Sequence, residues 1–238
     1  MTRETLVMIP PMLADARVFW HQLQDLSRDH AVMVTPTTCG ERMEEIASQI
    51  LSWAPSRFAV IGMGMGGMVA MEILRRAPEA VTRVALISTS PLPDTPEDAA
   101  ARETHMVAAR AGRWDDVLRH EINSTWMGPQ ADKVALVRLL NEMGRECGPE
   151  VYVRQARAMQ RRKDQQATLR KLRQPAMVIC GRHDGQFQLK RQAVMAEMMP
   201  TATREVIEGA GYLPTLEAPE ATSEMLRRWM KLPMMLRQ

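Results

Sequence analysis

Cysteine is scarce: Cys39, Cys147 and Cys180 are the only three in 238 residues, widely spaced and odd in number. That pattern supplies neither a disulfide framework nor a CxxC metal site, and the three read as reduced thiols. The five histidines form no HExxH or HxH arrangement, so spacing offers no zinc site and no metal is expected. One-sided charge is missing as well. Thirty-one basic against twenty-eight acidic residues leave a formal charge of +3, too small an excess to suggest a nucleic-acid partner. The basic cluster in residues 154–173, RQARAMQRRKDQQATLRKLR, is expected to be a solvated helix face. No long uninterrupted apolar run occurs. The longest, residues 58–74, carries Glu72 and four glycines, which fits a buried strand and helix and argues against a membrane span. The opening MTRETLVMIPP lacks the apolar stretch of an export leader, so cytoplasmic residence is the expectation.

What remains is a chain that is 45% hydrophobic, enough for one domain with a sizeable core. Short apolar runs at residues 5–9, 31–35, 58–61, 84–88, 176–180 and 205–207 predict strands of a mainly parallel sheet. Between them, residues 18–26, 41–53, 65–76, 189–199 and 221–229 show apolar positions at helical spacing. The alternation predicts an α/β fold, doubly wound, with helices on both faces. No strand is apparent between the runs ending at Ser88 and beginning at Ala176. Helical patterns fill that interval around residues 105–111, 114–122, 134–143 and 151–160, and SPLPDTPEDAAARE suits a turn and helix start. The expected organisation is a core of residues 1–92 and 172–238 with a helical cap insertion at 93–171.

The most informative segment is FAVIGMGMGGMVAMEILRRA, residues 58–77: strand, Gly62-Met63-Gly64-Met65-Gly66-Gly67, helix. Gly62, Gly64 and Gly67 satisfy GxGxxG, the dinucleotide fingerprint. It follows the third predicted strand, though, and no carboxylate appears at the end of the next strand until Asp94, so no nucleotide or other cofactor is expected. The segment resembles instead the nucleophile elbow of the α/β-hydrolase family, GxSxG, in which serine stands on a strained strand-to-helix turn. Gly62 and Gly66 hold the flanking places and Gly64 the nucleophile's. Glycine has no side chain to attack with, so serine acyl-enzyme chemistry is not expected there.

The resemblance extends over most of the chain. LVMIPPMLADARVFW is similar to the family segment that helps form an oxyanion hole, with Pro10 and Pro11 in place of His-Gly. This implies that the N–H groups of Met12 and Met65 are its two donors, with Pro11 and Met63 beside them as ligand-binding residues. MVICGRHDGQF looks like the strand and loop carrying the triad acid, which implies that role for Asp184; His183 next to it reads as a surface histidine. IEGAGYLPTLEAPE is similar to the stretch that delivers the catalytic histidine, and Tyr212 stands in its place. A phenol of pKa about 10 is a poor base at neutral pH and a usable hydrogen-bond donor.

Three functional readings follow: a binder of a small apolar ligand bearing a carbonyl or carboxyl group, or a non-catalytic homologue; a non-hydrolytic lyase, isomerase or decarboxylase using Asp184, Tyr212 and the oxyanion hole; and a carboxyl-ester hydrolase altered at its triad. Twenty-one methionines, among them Met63, Met65, Met68, Met106, Met127, Met143 and Met159 around the elbow and cap, suit adaptable packing or a pliable pocket. Cys39, Ser88 and Ser90 end or follow predicted strands without an evident histidine partner and read as structural.

Overall fold

The computed structural model describes residues 4–233; residues 1–3 and 234–238, the outer ends of the expected core and of its N-terminal segment, lie outside the described residues. Six strands form one parallel sheet: β1 (Leu6–Ile9), β2 (Val32–Val34), β3 (Phe58–Met63), β4 (Val81–Ile87), β5 (Ala176–Gly181) and β6 (Ala202–Ile207), in the order β2-β1-β3-β4-β5-β6. Strands β1, β3, β4 and β5 are buried along their whole length, as a sheet covered on both faces requires, whereas the edge strand β6 keeps the polar Thr203-Arg204-Glu205 partly in solvent.

The period-two alternation of the strands sorts the core into two layers. Val7, Ile9, Phe58 and Val60 face α2 (Met43–Trp53), α3 (Met65–Arg76) and α8 (Leu189–Glu197); Leu6, Met8, Ala59 and Ile61 face α1 (Trp20–Leu26) and α10 (Pro219–Met230). The sheet is thus doubly wound. A short helix, α9 (Pro214–Glu217), precedes α10.

Between β4 and β5 the chain is helical: α4 (Pro96–Arg110), α5 (Trp114–Glu121), α6 (Lys133–Gln160) and α7 (Gln166–Arg170). The start of α4 is fixed by a capping box, in which Asp98 N–H donates to Thr95 Oγ1 and Thr95 N–H to Asp98 Oδ2, with Pro96 in the first turn. Helix α6 is two helices joined at Gly148, whose φ of 75° no ordinary helical residue adopts, followed by Pro149. The second half returns along the core and packs Tyr152, Val153 and Ala156 on Leu13. The basic cluster of residues 154–173 forms the solvated face expected from sequence only in part: Arg161, Lys163, Arg170, Lys171 and Arg173 are exposed. Arg154 donates to the Thr38 carbonyl at 3.0 Å, Arg157 and Arg161 face Glu41 and Lys163 pairs with Glu44 at 2.8 Å, so half the cluster ties cap to core, while the nearly buried Arg162 pairs with Asp94 within the cap. Among the described residues no helix is long and apolar enough to cross a membrane.

Candidate functional site

The sheet converges on the turn between β3 and α3. Gly64 sits there with φ 53° and ψ −120°, a sparsely populated region that costs a side-chain-bearing residue on the order of 1–3 kcal/mol. Neighbours fix this shape: Gly64 N–H donates to the Ile87 carbonyl at 3.0 Å, and the Gly64 carbonyl accepts from Thr89 Oγ1 at 2.6 Å. The helix enters so close to the ends of β1 and β3 that a Cβ on Gly66 would overlap the Ile9 carbonyl and one on Gly62 the Gly66 carbonyl.

Two residues with free backbone N–H groups, Met65 and Met12, line the space above this turn. Met65 begins α3, so its N–H has no partner within the helix and lies at the positive end of the helix dipole. After β1, Pro10 and Pro11 have no N–H, which makes Met12 the first donor of that loop. Among the described residues neither N–H is engaged by another group. The Met12 loop is held by strain and by the cap together: Leu13 adopts φ 59°, and its N–H donates to Gln155 Oε1 at 3.0 Å. Gln155 is fully buried, and its amide donates in turn to the Thr37 carbonyl at 3.2 Å and to Thr37 Oγ1 at 3.0 Å. Nothing local in the sequence singles out Gln155.

Tyr212 reaches the same space from the loop after β6. Its N–H donates to the Trp126 carbonyl at 2.7 Å, and the Glu217 carboxylate accepts from the N–H groups of Gly211 at 2.8 Å, Leu213 at 2.8 Å and Gly128 at 2.6 Å. One carboxylate therefore fastens the Tyr212 loop to itself and to the cap. The ring packs against Phe187 at 5.9 Å and edge-on against Trp126 at 6.1 Å. Its hydroxyl stands too close to where a Cβ on Gly64 would lie for both to fit, while Tyr212 Cζ is 3.5 Å and Pro11 Cβ 3.0 Å from that point. Burial, with the nearby Asp184 charge, pushes the phenol well above its ordinary value, so it stays a neutral donor.

Asp184, at the end of β5, is 4% exposed, and its Oδ1 accepts from the N–H groups of Gln186 at 2.9 Å and Phe187 at 2.7 Å. Oδ2 is buried without a hydrogen-bond partner, as is Ser88 Oγ across the strand ends, where Ser88 adopts φ 43°. Burial raises the Asp184 carboxyl above its usual range against the pull of those two N–H groups and of the neighbouring Ser88 hydroxyl. His183 is exposed.

A cavity of about 730 Å³, counted with its open mouth, lies between turn and cap. Pro11, Met12, Met65 and Tyr212 all line it, so the structure brings four of the seven residues singled out from sequence to one space, directly above Gly64. Asp184 and Met63 are not part of its wall. Gln186 and Phe187 face the cavity in place of Asp184, and Met63, on the same strand face as Ala59 and Ile61, packs into the opposite core layer and accepts a 3.5 Å contact from Thr215 Oγ1. Of the seven methionines near elbow and cap, Met65, Met127 and Met159 reach the wall; the others are core. Sequence reasoning missed Arg102 and Glu121, which line the cavity from the cap. The available signal was that Arg102 stands one helical turn before the fully buried Met106.

Comparison with known proteins agrees with this fold. The profile described as the Alpha/beta hydrolase family matches residues 6–225. The pimeloyl-[acyl-carrier protein] methyl ester esterase of Aromatoleum aromaticum is 28% identical over 193 residues, covering 76% of this chain and 77% of that protein. The biotin biosynthesis bifunctional protein BioHC of Teredinibacter turnerae is 24% identical over 210 residues, 79% of this chain, yet the match spans only 36% of that longer protein. Among solved structures, a malate-bound esterase from Thermogutta terrifontis superposes with a TM-score of 0.87 at 22% identity, over 97% of this chain and 90% of the esterase.

Proposed function

The chain belongs to the α/β-hydrolase family, and we propose that within it the elbow has been converted from a nucleophile's seat into part of a binding site for a small apolar carbonyl compound. One observation carries the reading. The Tyr212 hydroxyl fills the place of the side chain that Gly64 lacks, so a phenol stands where the family resemblance puts serine. The phenol is held neutral, which suits it to donate a hydrogen bond and unsuits it to attack a carbonyl carbon. With the Met12 and Met65 N–H groups it gives three converging donors for one ligand oxygen, under methionine and aromatic walls that take an apolar body. The reading of a lyase or isomerase asks for a base beside the ligand. Asp184 lies behind the cavity wall, and the carboxylate on the wall, Glu121, is engaged by the Tyr152 hydroxyl and faces His105, which favours binding over that chemistry.

The test pairs reactivity with binding. The unaltered chain should resist stoichiometric labelling by a fluorophosphonate and leave p-nitrophenyl esters and lactones unhydrolysed, while ketones, esters or lactones raise its melting temperature. Saturation at a hundredfold excess over Kd contributes about 2.7 kcal/mol. A single labelled residue in the cavity would overturn the reading. Hydrolysis appearing only in a Gly64→Ser, Tyr212→His double variant would mark the chain as a hydrolase altered at its triad.

A further inference from the structure

Resting on the reading of the cavity as a carbonyl-binding site, we propose that the cap supplies a second, anion-binding subsite. Arg102 receives a carboxylate at the far end of the ligand, which makes the ligand class an oxo acid or a similar carbonyl compound with a free carboxylate.

The observation is a guanidinium with one edge used and one edge open. Arg102 extends from α4 with its side chain 17% exposed, and its Nε donates to Asp94 Oδ2 at 2.7 Å. Asp94, 3% exposed, is shared with Arg162, which approaches its other oxygen and also donates to the Leu92 carbonyl at 2.8 Å. These contacts fix the Arg102 plane from behind. Among the described residues no acceptor engages its two Nη groups, and the residue lines the cavity. A guanidinium cannot shed its proton, so four N–H donors are left to solvent or ligand on a side chain that the cap otherwise encloses.

Glu121 shares this part of the wall without closing that edge. Its Oε1 accepts from the Tyr152 hydroxyl at 2.7 Å and faces His105 Nδ1 at 3.4 Å, and it lies beyond ion-pair distance of Arg102. Those contacts, with the Arg102 charge, keep the Glu121 carboxyl below its usual range despite burial. A planar fork with a free edge is the group that takes a carboxylate by two parallel bonds. Arg102 lines the same cavity as the Tyr212, Met12 and Met65 donors, and Leu140, Met159, Phe187 and Trp126 give that cavity its apolar wall. A molecule matching it has a carbonyl oxygen, an apolar middle and a terminal anion.

The test is calorimetric titration of the full chain with straight-chain oxo acids of five to ten carbons, each against the methyl ketone of matched length. At one length the acid should bind at least tenfold tighter than its ketone, although the ketone is the more apolar molecule. The advantage should vanish in Arg102→Leu and persist in part in Arg102→Lys. Ketones binding as tightly as acids at every length would overturn the anion subsite and leave the carbonyl site standing. So would an unchanged preference in folded Arg102→Leu. Absence of binding by acids and ketones alike would refute the carbonyl site, and the subsite with it.

Discussion

If the Tyr212 hydroxyl occupies the space that Gly64 leaves empty, the two residues are coupled, and a double-mutant cycle measures the coupling without any ligand. Gly64→Ala adds a methyl group at φ 53°, ψ −120°, which costs on the order of 1–3 kcal/mol for backbone strain. The methyl group also collides with the Tyr212 hydroxyl. That ring is wedged between Phe187 and Trp126 on a loop fastened by Glu217, so it cannot step aside freely, and overpacking of this kind adds about 1–3 kcal/mol. The single variant should therefore lose about 2–6 kcal/mol in total. In a Tyr212→Phe background the nearest ring carbon, Cζ, is 3.5 Å away, an ordinary contact, and what remains is the strain and the 3.0 Å approach to Pro11 Cβ, both common to the two backgrounds. Urea midpoints at constant m-value supply the four free energies. A coupling of about 1–3 kcal/mol is expected, with Gly64→Ala less damaging beside Phe than beside Tyr. Equal costs in the two backgrounds would refute the placement of the hydroxyl, and with it the argument that the phenol replaces a serine.

Gln155→Leu should cost about 2–4 kcal/mol, since it strands the buried Leu13 N–H and both Thr37 acceptors. It should also weaken ketone binding by releasing the Met12 loop; a folded variant with unchanged ketone affinity would show that the cap does not position that donor. Asp184 binds its proton more tightly folded than unfolded, so its contribution is fully present below the unfolded carboxyl's pKa of about 3.9 and is lost as pH rises through the raised folded value. Asp184→Asn keeps an oxygen for the Gln186 and Phe187 N–H groups and escapes that loss. Urea midpoints should therefore favour the variant increasingly as pH rises through this window, and a pH-independent difference would contradict the raised value.

The strands were legible because β1, β3, β4 and β5 are short runs buried along their whole length, and the half-buried edge strands β2 and β6 still carry a short apolar run. Their edges were harder. β4 begins at Val81, before the polar Thr82-Arg83, because the Arg83 guanidinium is absorbed by Glu4 at 3.0 Å and by the Trp229 carbonyl at 3.3 Å. The five-residue α7 and four-residue α9 are too short for a helical period to declare itself. At the site, glycine spacing located the turn and the family resemblance pointed to Tyr212, yet neither revealed that the two meet. Their contact depends on how the β6 loop is tied to Glu217 and Trp126, a tertiary fact. Arg102 and Gln155 escaped for the same reason: each looks like an ordinary polar helix residue until the cap folds back at Gly148.

The close approach of Gly66 to the Ile9 carbonyl, and of Gly62 to Gly66, sets the shape of the elbow from outside. The joint is made by neighbouring strands and would keep its angle whatever residue stood at its tip. Form and chemistry are thus separable here: the residue at position 64 sets what the turn can do, while the frame that presents it is built by other residues. Such a joint is a socket, and proteins that share it can exchange reaction for recognition at its tip without first learning a new fold.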